Sequence, residues 1–315
     1  MLTEAQMNNF IYNKDTPVLF LIFNRPDTTL KVFNAIRNAK PRKLYISADG
    51  PRNASEQEIC NEVRKITENI DWECKVFTNF SEINKGCKIA ISEGISWFFD
   101  HEAEGIVLED DCLPSASFFA FCSTLLDHYR YDTRITHIGG ANLQLGLKRG
   151  LEDYYFSNLT HVWGWAGWRR VWEQYDVNIK TFPAFKDHHY INNCQSHLPF
   201  KKNWLDALEK TYNGEIDTWD YQYAYLNLIN NGLSIIPNFN LISNIGFGEK
   251  ATHTFDQNHY FASLPNEEMP TLVHPFFVVP DIEADIFTQE KENYTPPVKK
   301  KNVMSRLWKT LKEHK

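Results

Sequence analysis

Apolar and polar positions along this chain alternate in blocks that read as strand, turn and helix by turns. Val18 to Phe23 (VLFLIF) is a short unbroken apolar run, the mark of a strand buried on both faces. Asn24-Arg25-Pro26-Asp27 stops it and opens a helix, since proline suits a first turn and Asn or Asp can cap. Leu30, Phe33 and Ile36 then recur at helical spacing. Lys43 to Ser47 predicts a second strand, ended by the turn cluster Ala48-Asp49-Gly50-Pro51. A helix around Ser55 to Asn69 and a strand from Cys74 to Phe77 follow. Asn84-Lys85-Gly86 leads into an amphipathic helix carrying Ile89, Ile91, Ile95, Phe98 and Phe99. Gly105-Ile106-Val107-Leu108 reads as the next strand and ends abruptly in Glu109-Asp110-Asp111.

Strands and helices in regular alternation imply an α/β fold with an open, mostly parallel sheet. Ligands of such sheets sit beyond the carboxyl ends of the strands. Arg25, Asp49 and Glu109 to Asp111 all lie just past strand ends, so the pattern predicts that they gather on one rim. A helix from Ser117 to His128 and a strand from Thr136 to Ile138 extend the fold. Beyond Gly140 the texture turns to segments rich in Trp, Gly and Tyr, notably His161 to Trp172 and Asp217 to Tyr225. From Pro265 the chain is Pro-rich and irregular, and it closes on a basic, amphipathic stretch from Lys299 to Lys315.

Composition narrows the function classes. The chain has 315 residues, 43% of them hydrophobic and 23% charged, ordinary for a folded protein with a large core. A net charge of −7 argues against a nucleic-acid binder. The six cysteines show no CxxC pair and no zinc-ligand rhythm, which fits buried thiols in a reducing compartment. The first residues lack a secretory pattern and no apolar run approaches the ~18–20 residues of a membrane span, so a cytoplasmic protein is expected. Aromatics reach 14%, with nine Trp and 14 Tyr. Such rings form cores, or line sites for sugars, whose C–H faces are apolar.

Three adjacent carboxylates at a strand end repel one another, and a hard divalent cation relieves that repulsion. Mg²⁺ and Mn²⁺ prefer oxygen ligands and leave coordination sites for phosphates. The plainer reading is a solvated acidic turn or a cap for the helix that follows. Val107-Leu108-Glu109-Asp110-Asp111, with Leu113-Pro114 and Phe118-Phe119 after it, resembles the metal-binding segment of GT-A glycosyltransferases. It is most similar to the N-acetylglucosaminyltransferase I family, which carries Glu-Asp-Asp where many relatives have Asp-X-Asp. Asn24-Arg25 resembles that family's Asp-Arg, and Ser47-Ala48-Asp49 its Ser-Gln-Asp. Gly164-Trp165, Trp219-Asp220 and the late Phe247-Gly248 with His253 also have counterparts in the same order.

The resemblance covers roughly residues 17 to 255 and implies a GT-A fold: a Rossmann-like, mostly parallel sheet flanked by helices, with an intimately packed acceptor half. It places a nucleotide-binding half at 15–115 and an acceptor half at 116–265, with 266–315 as a C-terminal extension. It implies a metal, Mn²⁺ or Mg²⁺, on Asp111, with Asp110 and Glu109 bonding the ribose or donor sugar. Arg25 would contact the uridine or diphosphate, and Asp49 would accept from the base; otherwise they are a helix-start cation and a turn Asp. Lys85 stands in an Asn-X-Gly-like turn whose helix amides favour phosphate or hydroxyl oxygens, or in a plain capped helix start. Among Trp163, Trp165 and Trp168 one ring is expected to meet the ligand, Trp165 being the family counterpart. His253 lies in a Gly-bearing loop and reads as a second metal ligand, a phosphate donor or a surface histidine.

An inverting transferase needs a carboxylate to take the acceptor proton. Asp220 best matches the family's Trp-Asp; Asp217 is its rival, and either is also a natural helix cap. The expected reaction moves a sugar from a nucleoside diphosphate, UDP above all, to a hydroxyl of a glycan or lipid-linked saccharide. The basic 299–315 stretch suits contact with the inner face of a membrane, or solvation as a tail. A sugar-nucleotide pyrophosphorylase would need a Gly-rich basic loop after the first strand, and Asn24 to Thr28 has no Gly. A carbohydrate-binding module, the non-enzymatic alternative, is usually a small all-β domain.

Overall fold

Val18–Ile22 is buried at all five positions and forms β1, a strand in the interior of the sheet. A computed structural model describes residues 10–194, 198–247, 260–262 and 264–292. Helix α1 (Pro26–Ala39) starts on Pro26 with Asp27 in its first turn, as a fixed φ and an acid near the helix N-terminus favour. It buries Thr29, Val32, Phe33 and Ile36. The chain continues through β2 (Lys43–Ala48), α2 (Ala54–Ile66), β3 (Lys75–Phe80), α3 (Cys87–His101) and β4 (Glu104–Glu109). The helix predicted at 55–69 starts one residue earlier because Asn53 caps it, accepting from the Glu56 amide at 3.1 Å.

After β4 come β5 (Cys112–Pro114), α4 (Ala116–His128), β6 (Ile135–Gly139), β7 (Tyr154–Ser157) and β8 (Trp165–Trp168). Four helices follow, α5 (Arg169–Trp172), α6 (Phe182–Asp187), α7 (Ile191–Cys194) and α8 (Leu198–Tyr212). Then come α9 (Asp220–Ile229), β9 (Leu233–Pro237), β10 (Ile242–Asn244) and α10 (Ile282–Glu292). The main sheet has eight strands in the order β3-β2-β1-β4-β8-β6-β9-β7. Strands β3, β2, β1, β4, β6 and β9 run one way; β8 and β7 run against them. The fold is therefore mixed α/β with a mostly parallel sheet between helices. No helix among the described residues is long and apolar enough to cross a membrane.

Register decides what the sheet presents at its rim. Leu21 pairs with Glu109 and Ile22 with Ala48, so residues 23–25, 49 and 110–111 leave the sheet side by side. The Trp-rich segment is itself a sheet strand. Trp165–Trp168 inserts antiparallel between β4 and β6, joining the two halves of the chain through one continuous sheet. Trp165 is 1% exposed and packs with His137, Trp219 and Tyr223 at 5.0–6.2 Å between ring centroids. The high aromatic content thus builds a core under α9, and a buried ring is the physical bar to the sugar contact expected of Trp165.

The stretch from 264 to 292 differs from the predicted extension, because it is woven into the domain. Met269 and Leu272 are buried in the main core. Glu268 caps α4, its two oxygens accepting from Ala116 N at 2.9 Å and Ser117 N at 2.8 Å. Helix α10 packs on β7, where Asp285 accepts from Ser157 and Asn158. The 299–315 stretch lies outside the described residues.

Burial opposes ionisation of Glu268, but the Ser117 and Ala116 donors outweigh it and hold its pKa below the usual carboxylate range. A depressed folded-state pKa contributes stability above the unfolded value, lost as pH falls through the folded one. Glu268→Ala is expected to cost about 1 kcal/mol at neutral pH, a few degrees of Tm, with the difference from wild type shrinking below about pH 4. Calorimetric melting at both pH values checks it; an unchanged Tm at neutral pH would mean that 264–292 is not part of the cooperative unit.

Candidate active site

The rim beyond β1, β2 and β4 gathers the expected charges. Arg25 Nη1 donates to Asp111 Oδ2 at 2.6 Å and lies 3.6 Å from Asp110 Oδ1. Asp110 is buried, and its Oδ2 also accepts from the Phe23 amide at 3.2 Å. Burial opposes the charge of Arg25, yet Asp110 and Asp111 hold its proton more firmly than usual. Glu109 is pushed well above the carboxylate range by burial, then by Asp111, Asp110 and Asp220. Asp110 is raised to about 7 by burial and Asp111, against the pull of Arg25 and the Phe23 amide. The corner therefore carries more negative charge than its guanidinium balances.

The backbone beyond β10 completes this corner. Strand β10 pairs antiparallel with β5, and Ile245 N then donates to Asp111 O at 2.8 Å. Gly246 follows with its Cα so close to the Asp111 carboxylate that a Cβ there would collide with it. Phe247 meets the Trp163 ring edge-on at 5.6 Å. Of the three tryptophans weighed for a ligand contact, the half-buried Trp163 is therefore the ring next to the rim, while Trp165 and Trp168 are core. Gly248 and His253 lie outside the described residues.

Asp49 stands at the end of β2 as predicted, but its carboxylate is fully engaged. It accepts from Gly50 N at 2.8 Å, Lys85 N at 2.9 Å, Gly86 N at 3.2 Å and Asn84 Nδ2 at 2.9 Å. A carboxylate has about four acceptor positions, and these four donors fill them. Asp49 thus shapes the Asn84–Gly86 turn and has no lone pair left for a nucleobase N–H. The Lys85 ammonium is turned to Glu93 at 2.5 Å on the exposed side of α3, rather than toward the acidic corner.

Asp217 and Asp220 are brought to the same rim from the other half of the chain, with different duties. Asp217 caps α3, its oxygens accepting from Cys87 N and Lys88 N at 3.1 Å each. Gly86, at φ +80°, approaches this carboxylate as a side-chain-bearing residue could not. Asp220 opens α9 and accepts on Oδ1 from Thr218 Oγ1 and the Tyr221 amide. Its charge is felt at Glu109, Cys87 and Tyr175, which places it over the acidic corner. The neighbouring Trp219 is buried on Trp165, and its carbonyl accepts from Tyr175 Oη at 3.0 Å, so the start of α9 is fixed from below.

Cys87 and Tyr175 were missed at the sequence level. Cys87 is the first residue of α3, and burial, Glu109, Asp220 and Asp217 raise its pKa. It stays a neutral thiol there, which argues against a cysteine nucleophile. The Asn84-Lys85-Gly86 pattern placed this turn on the rim but gave no signal for the thiol itself.

The donor set suits a hard cation, because every carboxyl group in the corner offers oxygen. Among the described residues no three His, Cys, Asp or Glu side chains form a ready-made cage. Mg²⁺ and Mn²⁺ need none, since one or two carboxylates plus substrate phosphates and water hold them. Excess negative charge with few protein ligands is the arrangement that leaves coordination sites for a diphosphate.

No protein-family model matches the chain, and no curated protein matches it. Solved structures that match weakly include HddC from Yersinia pseudotuberculosis, 10% identical, with a TM-score of 0.33 over 51% of this chain and 80% of that one. They also include an active-site mutant of LgtC, 12% identical, with a TM-score of 0.35 over 89% of this chain and 98% of that one. The galactosyltransferase LgtC in complex with donor and acceptor sugar analogs is 11% identical, with a TM-score of 0.34 and the same coverage. Likenesses this loose carry no argument about function.

A carboxyl raised to about 7 from an unfolded value near 3.9 stabilises the fold at low pH, and that contribution drains away between about pH 4 and pH 7. In metal-free buffer Asp110→Asn is therefore expected to gain in Tm relative to wild type as pH rises from about 5 to about 8. A Tm difference that does not change with pH would show that Asp110 ionises as an ordinary carboxylate.

Proposed function

We propose that this chain is a metal-dependent GT-A glycosyltransferase that moves a sugar from a nucleoside diphosphate, UDP by preference, to a hydroxyl of a saccharide acceptor. The observation that supports this best is the acidic corner at the carboxyl rim, where Glu109, Asp110 and Asp111 face Arg25 and Asp220. An acidic pocket repels a diphosphate unless a cation mediates, and the same cation leaves a use for each residue present.

Asp111 would hold the metal, Mn²⁺ or Mg²⁺. When bound, such an ion neutralises the diphosphate and stabilises the charge developing on the leaving nucleotide. Arg25, released in part from Asp111, would turn its planar donors to the nucleotide. Glu109 and Asp110 would accept from ribose or donor-sugar hydroxyls through their carboxyl oxygens. Asp49 would act on the nucleotide only indirectly, through the turn that it holds. Trp163 and Phe247 offer apolar faces beside Asp111, suited to a sugar ring and to excluding water that would hydrolyse the donor.

Transfer with inversion requires one carboxylate to take the acceptor proton as its oxygen attacks the anomeric carbon. Asp220 suits that role: Oδ2 accepts no hydrogen bond among the described residues, while Oδ1 is steadied by Thr218 and the Tyr221 amide. Asp217, with both oxygens on helix amides, is the clamp that ties the start of α9 to α3.

Steady-state kinetics with UDP-sugars and Mn²⁺ test the assignment. Asp220→Asn is expected to lower kcat by about 10²–10⁴ with donor KM nearly unchanged, as for loss of a general base. Asp217→Asn keeps one acceptor oxygen on the helix amides and is expected to lose only a few-fold. Full kcat in Asp220→Asn would remove it as the base, and equal losses in the two variants would undo the division of roles.

A further inference from the structure

The main sheet ends on two edge strands, and the chain treats them differently. At β7 the segment before α10 covers the backbone. Asp153 N donates to Val273 O at 3.1 Å, Asp281 N donates to Phe156 O at 2.8 Å, and Pro280 bridges to Phe156. At the other end β3 pairs, among the described residues, with β2 alone. All of β3 except Phe77 is exposed. Its sequence, Lys75-Val76-Phe77-Thr78-Asn79-Phe80, carries one charge and no Pro or Gly, and its register with β2 runs straight through without a bulge. Folds usually blunt such an edge with a mid-strand Lys, a Pro or a bulge, because open N–H and C=O groups recruit another strand.

The ladder to β2 decides which groups are open. Lys75 N donates to Arg42 O at 2.8 Å and Ser81 N to Ala48 O at 2.9 Å, so the odd-numbered residues turn their backbone to β2. Alternation then turns the N–H and C=O of Val76, Thr78 and Phe80 outward. The side chains of these three share one face, where the Arg64 guanidinium lies over the Phe80 ring at 5.0 Å. Phe77 lies on the other face, stacked on Tyr45 at 4.5 Å. Val76 and Phe80 remain 38% and 37% exposed.

The open groups are symmetric about Thr78, and that symmetry names the occupant. In an antiparallel pair, opposed residues share a face, and in alternate pairs they exchange both hydrogen bonds. A second β3 turned by a two-fold axis at Thr78 sets Thr78 against Thr78 and Val76 against Phe80 of the second copy. Every outward group of the strand is then used. A one-residue slip would oppose outward amides to amides already engaged with β2 and would split the side chains between faces. Charge agrees with this direction. Lys75 opens the strand and Glu82 follows its end, so antiparallel pairing brings Lys75 of each copy beside Glu82 of the other. Glu73, at the same end, already acts on Arg42. Parallel pairing would instead set Lys75 on Lys75 and Glu82 on Glu82.

We propose that the chain forms a two-fold dimer through antiparallel pairing of β3 about Thr78, so that the sheets of the two copies continue into one. The contact is closed, because it consumes the open edge of each copy and the other edge is already covered. It also leaves the acidic corner free. Strand β3 is three positions from β4, about 14 Å at ordinary strand spacing, and the carboxyl rims of the two copies face opposite ways. Dimerisation is read without donor, acceptor or metal, so this proposal stands or falls apart from the transferase reading.

The test is sedimentation velocity of the full chain over a concentration series. Wild type is expected to rise to twice the monomer mass and to stop there. Thr78→Pro removes the N–H on the axis and no bond to β2, a place where an edge strand accepts proline. This variant is expected to stay monomeric at every concentration, with the Tm of dilute wild type. Thr78→Cys tests the register without relying on the proline variant to fold. Opposed Cα atoms at about 5.5 Å are within disulfide reach, so diamide is expected to link two copies through position 78. Val76→Cys faces Phe80 of the second copy and is expected not to link to itself. A monomeric wild type at every concentration, growth beyond the dimer, an unaffected dimer in Thr78→Pro, or equal linking through position 76 overturns the proposal.

Discussion

Repulsion among carboxylates at one corner of the sheet is the constraint around which the rest is arranged. Glu109, Asp110 and Asp111 leave β4 beside the end of β1, and the register of three parallel strands gives them no way to separate. Arg25 relieves part of the repulsion, and partial protonation relieves more, as the raised pKa values of Glu109 and Asp110 show. A fold tolerates such a corner at a cost in stability, and sites of this kind cluster where a ligand is meant to supply the missing charge. The acids cannot be read as a surface turn, because Asp110 is buried and tied to the Phe23 amide.

The second constraint is that the two halves of the chain must meet at that corner. Strand β8 achieves it by running between β4 and β6, and its Trp165, with Trp172, Trp219 and Tyr223, forms the aromatic floor on which α9 begins. Asp217 then joins the start of α9 to the first turn of α3, while Asp49 holds the turn before α3 from the opposite side. Residues 84–88 are consequently gripped by two carboxylates from different halves, Asp49 on the turn and Asp217 on the first helical amides. Sites whose parts arrive from separate elements need this kind of bracing to keep reacting groups within a fraction of an ångström.

The first half of the fold was legible because its strands are short apolar runs closed by turn residues, and Pro26 and Gly86 mark helix starts. Convergence of Arg25 and the three acids followed from strand polarity alone. What the sequence hid depends on long-range pairing. Trp165–Trp168 has the composition of a binding loop, and only its partners β4 and β6 make it a central strand. Residues 264–292 look irregular, yet Glu268 and Asp285 tie them to α4 and β7 across more than a hundred residues of sequence. Asp49 was correctly placed on the rim; its role changed because four donors, from Gly50 and from residues 84–86, converge on it only after folding.

The central claim is that Asp111 and its neighbours accept a nucleoside diphosphate through a divalent ion. Isothermal titration of UDP into the metal-free protein, with and without added Mn²⁺, measures it most directly in wild type and Asp111→Ala. The account predicts binding heat that requires Mn²⁺ in wild type and vanishes in the variant. Undiminished Mn²⁺-dependent binding of UDP by Asp111→Ala, or wild-type binding indifferent to the metal, would contradict it.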